Sequence, residues 1–380
     1  MERAAWLGTE TEVERGLAIV AYLFPELHEW TADVPFRMPQ WERTLAVPLA
    51  ARKLVALANM ESPAGEGSAL GSSSEFLEET GQQIRWRVGG ASRRGRSHVR
   101  SGLPNQDAIE YWASADGNTA VMAVADGHGS ALCFRSGVGS RVAVTTAVEL
   151  FRKFATTIPS SQSVSAIGDR ARALLAEELT QSWRAAVASD LAAKPFTAAE
   201  WASLAALEGW KGQQVVQRHP ELAYGSTILA VVATTTYVLC MQLGDGEILF
   251  VDSEGETCRA LPRDDHVVLK PTASLWRRDA AAGIRFHVQD GADGMPALIL
   301  VTTDGYAESY ESDHNFLEIG RNYLRMVCTE EFHIEGRLKN FPDLPSGGET
   351  GDDATIGLIY RLEGTETSES KRSALPCQEN

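Results

Sequence analysis

Between Gln82 and Arg361 the chain is a succession of strand-length apolar runs, each cut off by a turn rich in Gly or Asp. Thr119 to Ala125 (TAVMAVA) reads as a buried strand, and Ser226 to Ala233, Tyr237 to Leu243, Glu247 to Val251, Ala297 to Thr302 and Ala354 to Arg361 read as strands. Ile84 to Ser92, Ala108 to Ser114 and Ile284 to Val288 read as further strands. Asp116-Gly117-Asn118 is a hairpin turn, and Thr234-Thr235-Thr236 and Gly244-Asp245-Gly246 are expected to join consecutive antiparallel hairpins. Helical spacing interrupts the strands from Ser130 to Phe154, with Val138, Val142, Thr145, Val148 and Leu150 facing inward. It does so again from Ser163 to Gln217, where Pro195 divides the block. Ile167, Ala171, Leu174, Leu175, Leu179 and Trp183 form one core stripe there, and Trp201, Leu204 and Leu207 another. Shorter helical stretches are expected at Tyr306 to Tyr310 and Phe316 to Cys328. Two antiparallel sheets covered by helices, an α+β fold, bury such a mixture.

Outside this region the texture differs. Residues 1–60 read as a helical extension, 61–81 as a Gly- and Ser-rich linker, 82–363 as the main domain and 364–380 as a polar, disordered tail. The extension, with Trp6, Trp30 and Trp41, is a candidate for contact with a partner or with a second copy. A formal charge of -16 argues against nucleic acid as a partner. Five scattered cysteines without a CxxC pair fit reduced thiols better than disulfides or a thiolate zinc site. Gly16 to Phe24 is too short to span a bilayer and lacks a basic start, so a cytoplasmic protein without a membrane partner is expected.

Four Asp-containing elements each open or end an apolar strand: Asn105-Gln106-Asp107, Asp126-Gly127-His128-Gly129, Thr303-Asp304-Gly305 and Gly351-Asp352-Asp353. One Asp-Gly alone is ordinary turn chemistry. Several carboxylates delivered to one sheet rim would be costly unless divalent cations sat among them, and hard oxygen donors favour Mg2+ or Mn2+ over Zn2+. The glycine after Asp126 would let its carbonyl approach an ion.

In order along the chain, Asn105-Gln106-Asp107-Ala108, Val124-Ala125-Asp126-Gly127-His128-Gly129, Tyr224-Gly225-Ser226-Thr227, Gly244-Asp245-Gly246, Thr302-Thr303-Asp304-Gly305 and Asp352-Asp353-Ala354-Thr355-Ile356 resemble the metal-dependent serine/threonine protein phosphatases of type 2C. The Ser92 to His98 stretch is similar to a bacterial branch, and the resemblance covers about residues 84–362. It implies a four-layer α-β-β-α sandwich and hydrolysis of phosphoserine or phosphothreonine in a protein substrate. The nucleophile it implies is water bridging two Mg2+ or Mn2+ ions. It further implies that Asp126 bridges the ions, that the Gly127 carbonyl, Asp304 and Asp352 are ligands, and that His128 is the general acid.

The chain departs from the family pattern in places. Gln106 stands where Glu is frequent, which shifts expected weight onto Asp107. Asp353 stands where Asn is common. The acid of a third metal site is missing before Gly225-Ser226-Thr227, Glu221 being the nearest carboxylate. For phosphate binding, His98 and Arg100 compete within an arginine strip at 85, 87, 93, 94, 96 and 100; Arg100 is favoured for its bidentate geometry. Asp245, Asp264-Asp265-His266 and Cys133 read as structural or surface residues, and His287 as an outward strand position. The alternative function is a catalytically weak or inactive module of the same architecture that binds a phosphorylated partner or senses metal. A small phosphorylated metabolite is a further substrate class left open.

Overall fold

A computed structural model describes residues 85–159, 162–263, 273–328 and 351–361, all within the second of two units, Glu79–Asn380. The expected helical extension, linker and tail, and the Asp264-Asp265-His266 loop, lie outside the described residues.

Among the described residues ten strands form two five-stranded antiparallel sheets. The first has the order β1 (Trp86–Arg93), β10 (Ala354–Arg361), β9 (Leu298–Thr302), β6 (Glu247–Val251) and β7 (Thr257–Arg259). The second has the order β2 (Ala108–Ala113), β3 (Ala120–Ala125), β4 (Ile228–Ala233), β5 (Tyr237–Leu243) and β8 (Arg285–Asp290). Helices α2 (Ser136–Thr157), α3 (Val164–Ala193) and α4 (Ala198–Arg218) accompany the second sheet. Short helices α6 (Asp304–Ala307), α7 (Asp313–Leu317) and α8 (Ile319–Val327) accompany the first. Two more helices are brief: α1 (Arg96–Ser101) and α5 (Ala280–Gly283).

Three apolar cores correspond to the three interfaces of a four-layer sandwich. Strand β3 shows why its residues never alternate with polar ones. Val121, Ala123 and Ala125 face the core shared with α2 and α3, while Ala120, Met122 and Val124 face the core between the sheets. With both faces covered, every position is apolar. The third core packs Tyr306, Phe316, Ile319 and Tyr323 onto the outer face of the first sheet.

Several local expectations change. Gly244-Asp245-Gly246 does not close a hairpin: β5 pairs with β4 and β8, while β6 pairs with β7 and β9, so this turn carries the chain between sheets. Gly244, at φ 120°, permits that crossing. Leu174 and Leu207 are exposed rather than core, and on α2 the buried stripe is Ala143, Val144, Ala147, Val148 and Phe151, with Thr145 exposed. The ring of His287 is half-buried against Phe250 of the other sheet, 5.8 Å between centroids, not outward. Pro195 does divide the long block. Thr197 then starts α4 with a reciprocal cap, its hydroxyl accepting from Glu200 N at 3.2 Å and its N–H donating to Glu200 Oε2 at 2.7 Å.

Candidate active site

Antiparallel register brings the acidic residues together. Ala108 lies opposite Ala125, so Asp107, entering β2, and Asp126, leaving β3, are neighbours at one end of the second sheet. Thr302 lies opposite Ile356, so Asp304, leaving β9, faces the segment from which Asp352 and Asp353 enter β10 in the first sheet. The two sheets are tied at this end through one carboxylate. Asp107 Oδ2 accepts hydrogen bonds from Thr303 Oγ1 at 2.8 Å and Thr355 Oγ1 at 2.7 Å.

The backbone around Asp126 is fully occupied. Its N–H donates to Thr227 Oγ1 at 2.9 Å, and its carbonyl accepts from Thr227 N and Ser226 Oγ, both at 2.9 Å. Gly127 follows because nothing larger fits: a Cβ there would lie 2.6 Å from Gln106 O and 2.8 Å from Ser136 O.

Crowding dominates the electrostatics. Burial, then the charges of Asp107, Asp304 and Asp352, hold the Asp126 carboxyl well above the usual carboxylate range. Burial pushes Asp107 up to about 7 against the pull of its two threonine hydrogen bonds. Burial and the charge of Asp245 push Asp304 to about 7 as well. Three of the expected ligands, Asp107, Asp304 and Asp352, are thus close enough to act on the fourth, Asp126.

His128 stands beside this group. Its N–H donates to Gly225 O at 3.1 Å, and a Cβ on Gly225 would come within 2.9 Å of His128 Cδ2. Burial lowers the imidazole pKa, with the Asp245 charge opposing. The buried Nε2 has no hydrogen-bond partner among the described residues. Asp245, read from sequence as a turn residue, therefore acts electrostatically on both His128 and Asp304. The sheet-to-sheet crossing brings it there, and no local pattern announces that. Glu221, the nearest acid to the missing third-site position, lies 3.7 Å from His219 Nδ1 instead.

The two candidates for phosphate binding part company. Arg100 is exposed in the last turn of α1, whereas His98 is buried on that helix. Nδ1 of His98 lies 2.8 Å from Asp353 Oδ2, and Nε2 lies 3.8 Å from Asp352 Oδ1. No helix was expected in this arginine-rich strip. The pair Gly95 and Gly102 was the available signal, since Gly102 ends the helix in the left-handed conformation at φ 76°.

The donor set suits hard divalent cations. Carboxylates this crowded are stabilised by nearby positive charge, and the buried Gln106 Oε1, like His128 Nε2, is an orphaned polar atom at the same rim. Together the carboxylates, the Gly127 carbonyl and the imidazole could hold ions and move a proton.

A sequence model of the family described as Protein phosphatase 2C matches residues 94–341. Solved structures similar to this chain include a bacterial serine phosphatase, 14% identical with TM-score 0.46, covering 74% of this chain and 99% of that one. Another is the serine/threonine phosphatase Stp1 from Staphylococcus aureus, 12% identical with TM-score 0.44, covering 80% and 100%. A third is the catalytic domain of the serine/threonine protein phosphatase PstP in complex with 2 manganese ions, 14% identical with TM-score 0.42, covering 73% and 99%. Among curated protein sequences none matches.

Proposed function

Because the chain belongs to the protein phosphatase 2C family, we propose that it hydrolyses phosphoserine and phosphothreonine in protein substrates, using two Mg2+ or Mn2+ ions. The observation that carries this reading is the convergence of Asp107, Asp126, Asp304 and Asp352, from both sheets, at one rim.

Asp107, Asp126, Asp304, Asp352 and the Gly127 carbonyl would hold the ions. Bound divalent cations acidify water to a nucleophile near neutral pH and offset charge on the phosphoryl group. Thr303 and Thr355 hold Asp107 through its Oδ2, and its carboxyl is hydrogen-bonded to that of Asp126. His128 Nε2, without a hydrogen-bond partner among the described residues, supplies a proton to the departing serine or threonine oxygen. Burial lowers the pKa of that imidazole, and the Asp245 charge offsets only part of the effect.

The test is Mn2+-dependent hydrolysis of a phosphopeptide, compared with Asp126→Ala and Asp304→Ala. Loss of turnover on the order of 10^2–10^3 fold in each variant supports the assignment. Mn2+ uptake without turnover in the parent protein would instead favour a binding module, consistent with Gln106 standing where the family often has Glu.

A further inference from the structure

His98, Asp352 and Asp353 form a cluster whose ligand-type atoms all lie within 4.8 Å of one another. The three are not equivalent. Asp353 is 3% exposed, and its two oxygens are already engaged by three donors. Oδ1 accepts from Gly95 N at 2.6 Å, and Oδ2 accepts from Gln106 N at 2.6 Å and from His98 Nδ1 at 2.8 Å. A carboxylate spent on three hydrogen bonds orients its neighbours rather than binding an ion of its own.

What it orients is His98. A carboxylate oxygen only accepts, so the proton of the neutral ring sits on Nδ1 and the lone pair on Nε2. That nitrogen lies 3.8 Å from Asp352 Oδ1, beyond hydrogen-bond distance. The His98 side chain is 10% exposed and that of Asp352 is 53% exposed, so the pair opens outward from a fixed base. A histidine whose other nitrogen is held by a carboxylate is the usual presentation of imidazole to a metal. Two ligand atoms at about 2.1 Å from one ion can stand up to about 4 Å apart, which accommodates the observed separation.

We propose that His98 Nε2 and the Asp352 carboxylate share one divalent ion, with Asp353 as the positioning residue. This rests on the reading of Asp352 as a metal ligand and extends it, because one site then carries a nitrogen donor. An imidazole in the set favours Mn2+ and later first-row ions over Mg2+.

The experiment is pulsed electron paramagnetic resonance of the full chain at saturating Mn2+, with and without 15N-histidine. A nitrogen coupling that changes with the isotope is expected. It should vanish in His98→Gln and in Asp352→Asn and persist in His128→Gln. Calorimetry should show Mn2+ affinity at one site falling about 10–100-fold in His98→Gln, with Mg2+ affinity changing less. Should His98→Gln fail to fold, the isotope effect in the parent and the Asp352→Asn spectrum still decide the matter. Bound Mn2+ without histidine coupling overturns this proposal and leaves the phosphatase reading standing. Coupling that survives Asp352→Asn or disappears in His128→Gln also overturns it. Absence of any Mn2+ uptake brings down both.

Discussion

Thr355 Oγ1, on the first sheet, donates a 2.7 Å hydrogen bond to Asp107 Oδ2 at the head of a strand in the second. Together with Thr303 this hydroxyl holds a buried carboxylate in one orientation. Thr355→Val removes the donor while keeping the shape. A loss of about 1–3 kcal/mol is expected for leaving the carboxylate less satisfied. Mn2+ affinity should fall as well, because Asp107 is no longer held for the ion. Urea denaturation and calorimetry of the same variant check both outcomes. Unchanged Mn2+ affinity would show that Asp107 needs no such restraint.

The crowded carboxylates predict how the metal-free protein responds to pH. Asp107 and Asp304 hold their protons up to about 7 in the fold, against 3.8 as the ordinary value. Between those values the native state binds more protons than the unfolded chain, so stability declines as pH rises. In chelator, Tm should be higher near about pH 5 than at about pH 7.5, and Mn2+ should abolish the slope. Thermal unfolding across that range, with and without the ion, reads this directly; a flat profile in chelator contradicts it.

Gly225 lies close against the imidazole of His128. A methyl group there would meet His128 Cδ2 at 2.9 Å, Cys133 Sγ at 3.1 Å and Trp276 Cδ1 at 3.2 Å. Gly225→Ala should displace His128 and lower kcat on a phosphopeptide by up to about 100-fold. Mn2+ binding should survive, because the three atoms nearest the new methyl belong to no carboxylate. The loss should be smaller on p-nitrophenyl phosphate, whose leaving group needs little protonation. An equal loss on both substrates would remove His128 from the role of general acid.

Arg135 fastens the α3–α4 connection to the segment that precedes Gly225. Its guanidinium donates to Glu200 at 2.7 and 3.0 Å, to Lys194 O at 2.6 Å and to Tyr224 Oη at 2.8 Å, and lies 4.7 Å over the Phe196 ring. Hydrogen bonding to Arg135 holds Glu200 down at about 2. That stability is present above the unfolded carboxylate value and is lost as pH falls toward 2. Glu200→Gln should cost about 1 kcal/mol after solvent screening. Arg135→Met should cost more, about 2–3 kcal/mol, because it strands several acceptors at once. Denaturant titration at neutral pH measures both.

Much of this protein was written locally. The runs from Tyr237 to Leu243 and Glu247 to Val251 coincide with β5 and β6, because continuous apolar residues between Gly and Asp turns leave few other structures open. The carboxylates at the ends of such runs were equally legible, since a strand end is a local property. What sequence could not decide was which ends meet. Whether β5 pairs with β6 or abandons it for another sheet depends on partners distant in the chain, and the crossing at Asp245 follows from that choice alone. His98 and Asp353 are 255 positions apart, and only their contact separates the buried histidine from the exposed Arg100 two residues later. Periodicity and turn chemistry act over a few residues and fix the elements; register and sheet pairing act across the whole chain, and they alone set side chains facing one another.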